Sequence, residues 1–227
     1  MNNSKHGAEH SLIDALTAVN KEYVHFLKLD NEKRERVLAA AYGEFLENSY
    51  AEASTNTITK KAGISKGLLF HYFGSKEGLY KFLMKESAQR IASEALPALP
   101  NKSGDVFALI KSMIQLKIMV CLRFPRETNF LIAAWAANLP ENLLRERKNI
   151  LGMSNNYFDV IINLLDSSLL RDEVEKNVAA EMIAWIWEKY TDKVLSSGTV
   201  TTTAESWNRV TNDLEKYMDV LRHGLYK

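Results

Sequence analysis

Apolar residues recur every three or four positions through most of this chain, and the interruptions between runs are few and well marked. Leu12, Ile13, Leu16, Val19, Tyr23 and Phe26 or Leu27 keep that spacing. They predict a helix over about Leu12 to Phe26, with Ser11 and Asp14 arranged as a capping box at its start. Leu29-Asp30-Asn31 breaks the pattern. Val37, Leu38, Ala41, Phe45 and Leu46 then share one face of a helix from about Glu32 to Asn48, with Glu32, Arg34, Glu35 and Arg36 on its wet side.

Three further helices follow closely. One fits Thr55 to Ala62 and ends at Gly63, since glycine tolerates the left-handed conformation there. Ser65 caps a short helix that stops near Gly74. Ser75 opens the next, with Glu77 in its first turn, where the helix dipole favours an acid. It runs through Leu79, Phe82, Leu83 and Ile91 towards Pro97. Pro97 to Gly104 reads as a loop, and Asp105 to about Phe124 as an apolar helix. Pro125 and Pro140 bracket a shorter helix, and Glu141 to about Leu170 is a long one that Gly152 can bend. Helices over Glu173 to Ser197 and Thr203 to about Leu225 complete the chain. The expected fold is all-α.

Composition supports that reading: 227 residues hold only 4 prolines and 10 glycines, too few breakers for a strand-rich fold. A net charge of +1 excludes a protein that coats nucleic acid nonspecifically, so any DNA binding must rest on a local patch. The single cysteine, Cys121, excludes an internal disulfide or a multi-cysteine zinc site. The five histidines lack metal-ligand spacing, and no nucleophile elbow, metalloprotease, phosphate-loop or dinucleotide motif occurs. Catalysis, cofactors and metals are therefore not expected. No apolar run is long enough to span a bilayer and Met1 to His10 is polar, so the expectation is a cytoplasmic protein without membrane contact.

The informative segment is residues 54–76. Two short helices separated by Gly63-Ile64-Ser65 make a helix-turn-helix, in which a tight turn sets a steep crossing angle. Ile58, Ala62, Ile64, Leu69 and Phe73 supply its inner contacts. Asn56, Lys60, Lys66, Gly67, His71 and Tyr72 lie on the outside, all able to meet DNA. Between residues 52 and 76, Lys60, Lys61, Lys66 and Lys76 stand against Glu52 alone, a local excess of +3. On an otherwise balanced chain that is an electrostatic footprint for DNA.

Residues 33–83 closely resemble the DNA-binding domain of TetR-family repressors. The string from Ala62 to Tyr80, Ala-Gly-Ile-Ser-Lys-Gly-Leu-Leu-Phe-His-Tyr-Phe-Gly-Ser-Lys-Glu-Gly-Leu-Tyr, carries the resemblance, together with the Lys-Arg-rich helix before it. The resemblance implies that Thr55 and Asn56 touch phosphate and base edges. It implies that Lys66, Gly67, Leu68, Phe70 and His71 enter the major groove, and that Tyr72 and Lys76 hold phosphate. Lys66 can donate to guanine and Asn56 can pair with adenine. Leu68 stands where the family often has threonine and Phe70 where tyrosine is usual, which alters operator preference rather than abolishing binding.

Three parts are expected: residues 1–30 as a tail and extra helix that the family's minimal domain lacks, 31–77 as the DNA-binding domain, and 78–227 as a helical effector-binding and dimerisation domain. Phe130, Trp135, Tyr157, Phe158 and Trp185 are candidates to line an effector cavity, each also compatible with an ordinary core position. Met182, Ile186, Val194, Trp207, Val210, Leu214, Tyr217 and Leu221 give the last two helices apolar stripes suited to a four-helix dimer interface. The expected protein is a ligand-responsive regulator. It binds a palindromic double-stranded operator as a homodimer and releases it on binding an apolar or amphipathic small molecule. Repression leads, with activation left open; an enzyme is the rival from another class, and a helical adaptor that does not touch DNA is a further alternative.

Overall fold

The computed structural model describes residues 23–95, 105–152, 161–163, 165–196 and 204–227. The expected helix over Leu12 to Phe26 lies mostly outside them, as does the loop before Gly104. The chain divides into two units, one comprising residues 1–90 and 137–153 and the other 91–136 and 154–227.

In the first unit, α1 (Val24–Leu27) precedes α2 (Asn31–Glu47), α3 (Thr55–Ala62), α4 (Lys66–Phe73) and the start of α5 (Lys76–Ala95). Local chemistry sets these boundaries. The Asp30 carboxylate accepts from Lys33 N at 2.8 Å, and the Ser54 and Ser65 hydroxyls accept from Thr57 N and Leu68 N. Each satisfies a backbone donor that the first helical turn leaves unpaired. Gly63 closes α3 in the left-handed region with φ 66°, and Ile64 N reaches back to Thr59 O at 3.1 Å. That is a Schellman closure, open to glycine because it has no Cβ to clash. Gly74 closes α4 with φ 71°, and the Ser75 hydroxyl takes Gly78 N to start α5.

The core of this unit joins Val37, Leu38, Tyr42 and Phe45 of α2 with Ile58 of α3, Leu69 and Phe73 of α4, and Leu79, Phe82 and Leu83 of α5, all buried. Tyr42 and Ser87 bring the two largest helices together through a buried hydroxyl pair at 2.8 Å. Leu46 corrects the expected stripe: it is 41% exposed, while Tyr42 and Glu44 are buried instead. At 100° per residue the buried face of α2 centres near Ala41, and Leu46 falls on the far side. The same unit includes α8 (Glu141–Gly152), where Leu143 is buried and Glu146 pairs with Lys85 at 3.2 Å.

The second unit is built from α6 (Val106–Arg123), α7 (Pro125–Ala136), α9 (Lys176–Ser196) and α10 (Ala204–Leu225). Asp105 caps α6 by accepting from Phe107 N and Ala108 N. Ile110, Ile114, Ile183, Trp187, Leu214, Met218 and Leu221 share one core. The single long helix expected from Glu141 to Leu170 does not extend that far. Asp166 caps a 3₁₀ turn over Ser167–Leu169, and Leu170 forms an isolated antiparallel bridge with Tyr226. Arg171 secures that pairing, its guanidinium donating to the carbonyls of Tyr226 and His223 at 3.0 Å. A contact between positions so far apart in sequence overrides the local helical period. No helix among the described residues is long and apolar enough to cross a membrane.

Candidate nucleic-acid interface

The outward face of α4 is set by what its inward face must bury. Leu69 and Phe73 are 1% and 4% exposed, packed in the core of the first unit. In an eight-residue helix that commitment turns Lys66, Gly67 and His71 to solvent, with Leu68 and Phe70 half-buried at the margin. Lys66 Nζ lies 5.8 Å from the centre of the Phe70 ring, one helical turn on. The aromatic face thus steadies the lysine without using any of its three donors. On α3, Asn56 and Lys60 are exposed and Thr55 is half-buried beside the Ser54 cap. Lys61 points elsewhere, pairing with Glu47 at 3.2 Å and lying 3.8 Å from Glu44.

Tyr72 sits differently from its expected outer position. Tyr72 is only 9% exposed, its ring packed 5.7 Å from Phe26 and 6.1 Å from Phe73. Sequence periodicity misses this because Phe26 precedes the domain and covers that side of α4. Lys76 turns its ammonium inward, donating to Ala51 O at 3.1 Å and Ala53 O at 3.2 Å, with the Tyr50 ring at 4.9 Å. It thereby fixes the turn that leads into α3. An open depression lined by Glu52, Ser54, Thr55, Phe70, Ser75 and Lys76 joins the start of α3 to the α4–α5 turn.

Three further residues position this face. Glu44 is buried, and its Oε1 accepts from Ser54 N at 2.9 Å, tying α2 to the start of α3. Gly78 leaves room for the end of α4: a Cβ there would lie 1.9 Å from Phe73 O. Phe26 is fully buried against Phe73 and Phe82, with ring centroids 4.8 and 5.2 Å away. Phe26 stands as an apolar position in the preceding helical pattern and Gly78 within the family-like string, whereas Glu44 has no signal in the sequence.

In the second unit, Phe130 is buried and Trp135 half-buried, whereas Trp185 is 60% exposed. Tyr157 and Phe158 lie outside the described residues. Leu214 and Leu221 are buried within their own unit, and Ile186 and Val210 are partly buried against its core. Met182 and Tyr217 are exposed, as are Val178 and Val220. The side chains of Val194 and Trp207 lie outside the described set.

Comparison with known proteins agrees with this geometry. Residues 37–82 match the family model described as bacterial regulatory proteins, tetR family. The chain is 36% identical over 73 residues to the transcriptional regulator BetI of Stenotrophomonas maltophilia, a match spanning 37% of that protein's length and 32% of this chain. It is 29% identical over 162 residues to the regulator PksA of Bacillus subtilis, covering 69% of this chain and 76% of PksA. In fold it is similar to a TetR family regulator from Chloroflexus aurantiacus, with a TM-score of 0.63 at 22% identity, covering 89% of this chain and 97% of that one. It is also similar in fold to NalD of Pseudomonas aeruginosa, the secondary repressor of the MexAB-OprM efflux pump, with a TM-score of 0.59 at 14% identity over 87% and 99% of the two chains. The helix-turn-helix with these caps and this outward basic face thus lies in the segment that matches the tetR family model, in a chain whose fold is similar to that of solved TetR family regulators.

Proposed function

We propose that this regulator represses transcription by binding a palindromic operator as a homodimer and releasing it when a small molecule binds the second unit. The observation that carries the reading is the outward face of α4, where Lys66, Gly67 and His71 are exposed on a helix held rigidly from behind. Lys66 donates to guanine O6 or N7, Gly67 lets the backbone come close, and Leu68 meets a thymine methyl. Phe70 and Asn56 flank them. The Thr55 side of the depression beside α3 receives phosphate. The Tyr72 ring is structural, so only its hydroxyl is offered to the DNA backbone. Lys76 acts mainly by fixing the turn before α3, with its charge adding to the local positive field.

Dimerisation is supported by an apolar stripe that the second unit leaves uncovered: Val178, Met182 and Trp185 on α9, with Tyr217 and Val220 on α10. Spacings of three and four residues put each set on one helical face. The area such a stripe leaves in water is what a four-helix interface removes. Effector binding is supported by the Thr128 hydroxyl, buried without a hydrogen-bond partner among the described residues, and by buried Phe130 on the same helix. An apolar or amphipathic molecule is the class that the aromatic and methionine content of this part of the chain suggests. Release follows by linkage: an effector favouring a dimer whose reading heads are wrongly spaced lowers operator affinity.

The test is selection of duplexes from a random library by the full-length protein in vitro. An inverted repeat with half-sites about one helical turn (roughly 34–36 Å) apart supports the dimeric reading head. Recovery of no enriched sequence contradicts it. A reporter driven by the selected site should fall when the protein is expressed, and a rise would mark an activator.

A further inference from the structure

The segment ahead of the minimal DNA-binding domain brings a side chain to the edge of the reading face. Tyr23 and Phe26 are 4% and 0% exposed, wedged among Phe73 and Phe82 with ring centroids between 4.8 and 6.1 Å. Arg34 also donates to Leu27 O at 3.2 Å, fastening the end of α1 to α2. This short helical turn is therefore docked on the back of α4 and does not trail from it. With Phe26 facing inward, its neighbour His25 is turned to solvent. The His25 ring stands 5.2 Å from that of His71, the exposed residue near the end of α4.

We propose that His25 is a DNA contact, meeting a backbone phosphate at the wall of the groove that α4 enters. The inference rests on the reading of α4 as the recognition helix. A phosphate, and not a base, is assigned because the inserted helix occupies the groove floor, so a side chain on the adjoining element meets the wall. The contact does not depend on protonation, since a neutral imidazole still has one N–H to donate. It makes the reading head wider than the family-matched segment of residues 37–82.

The experiment uses the full-length protein, a duplex it has selected from a random library, and a shuffled duplex of the same composition. If wild type selects nothing, the reading of α4 fails, and His25 is not the cause. If it does select, His25→Ala should weaken binding to both duplexes by about five- to tenfold, leaving the preferred sequence unchanged. His25→Glu should weaken both further by repelling phosphate. His25→Lys should restore affinity and steepen the salt dependence by about one unit of slope. All three should melt with wild type because the side chain is exposed, whereas Phe26→Ala reports what undocking α1 costs. Binding of His25→Ala within about twofold of wild type on both duplexes overturns the proposal. So does a loss confined to the selected duplex with altered base preference.

Discussion

Glu44 and Ser54 form the joint on which the reading head is mounted: the buried carboxylate of one accepts the backbone N–H of the other at 2.9 Å. Ser54 in turn caps α3 with its side chain, so one residue of α2 sets where the helix-turn-helix begins. Removing the acceptor strands a part-buried donor. Glu44→Ala should cost about 1–3 kcal/mol in denaturant unfolding. Glu44→Gln, which keeps an acceptor, should cost clearly less. Equal losses would mean that the charge near Lys61, and not the hydrogen bond, is what matters.

Glycines 67 and 78 lie eleven residues apart and should respond oppositely to the same change. A Cβ at Gly67 meets nothing within 4 Å, whereas at Gly78 it would stand 1.9 Å from the Phe73 carbonyl oxygen. Gly67→Ala should leave the fold intact or raise stability by about 0.5–1 kcal/mol through lower unfolded-state entropy. Its operator affinity should nonetheless fall if, as proposed, the backbone at Gly67 comes close to DNA. Gly78→Ala should destabilise by about 1–3 kcal/mol by displacing the end of α4. Thermal melts and binding titrations of the two variants check both halves.

Trp185 and Val220 are 60% and 74% exposed, large apolar groups that a monomer leaves in water. Trp185→Ala should weaken self-association by at least about 2 kcal/mol, the scale of a tryptophan at the centre of an interface. Sedimentation velocity over a concentration series reads this directly. The chain's own fold should be preserved, since neither residue belongs to the core of its unit. A variant that stays dimeric at every concentration would move the interface elsewhere.

Burial pushes the phenols of Tyr80, Tyr190 and Tyr226 up to about 12, opposed at Tyr226 by the Val106 N–H that its oxygen accepts. Their unfolded value is 10.0, so the folded state holds these protons more tightly. The corresponding stability is complete below pH 10 and is lost as pH rises from 10 towards 12. Phenolate absorbance of the folded protein should therefore show a late-titrating group of tyrosines, merging into one transition near 10 in denaturant. Titration of every tyrosine near 10 in the folded protein would contradict the burial described here.

The helix-turn-helix was legible in the sequence because its signals are local. Ser54 and Ser65 cap within three residues, Gly63 turns the chain by itself, and Ile58, Leu69 and Phe73 bury at helical spacing. What escaped depended on distant partners. Tyr72 reads as an outer residue until Phe26 is placed against it, and Leu46 reads as core until the buried face of α2 is known. The contacts of Lys76 with the carbonyls of Ala51 and Ala53 likewise have no local signal. The pairing of Leu170 with Tyr226 could not be found from helical periodicity at all.

The central claim is that the outer face of α4 reads base sequence, and the affinity ratio between a selected duplex and a shuffled one tests it most directly. Lys66→Ala should cost about 1–3 kcal/mol on the selected duplex and relax preference at the guanine it faces, with a smaller loss on the shuffled duplex. An unchanged ratio, with affinity falling equally on both duplexes, would contradict the claim and reduce Lys66 to a phosphate contact.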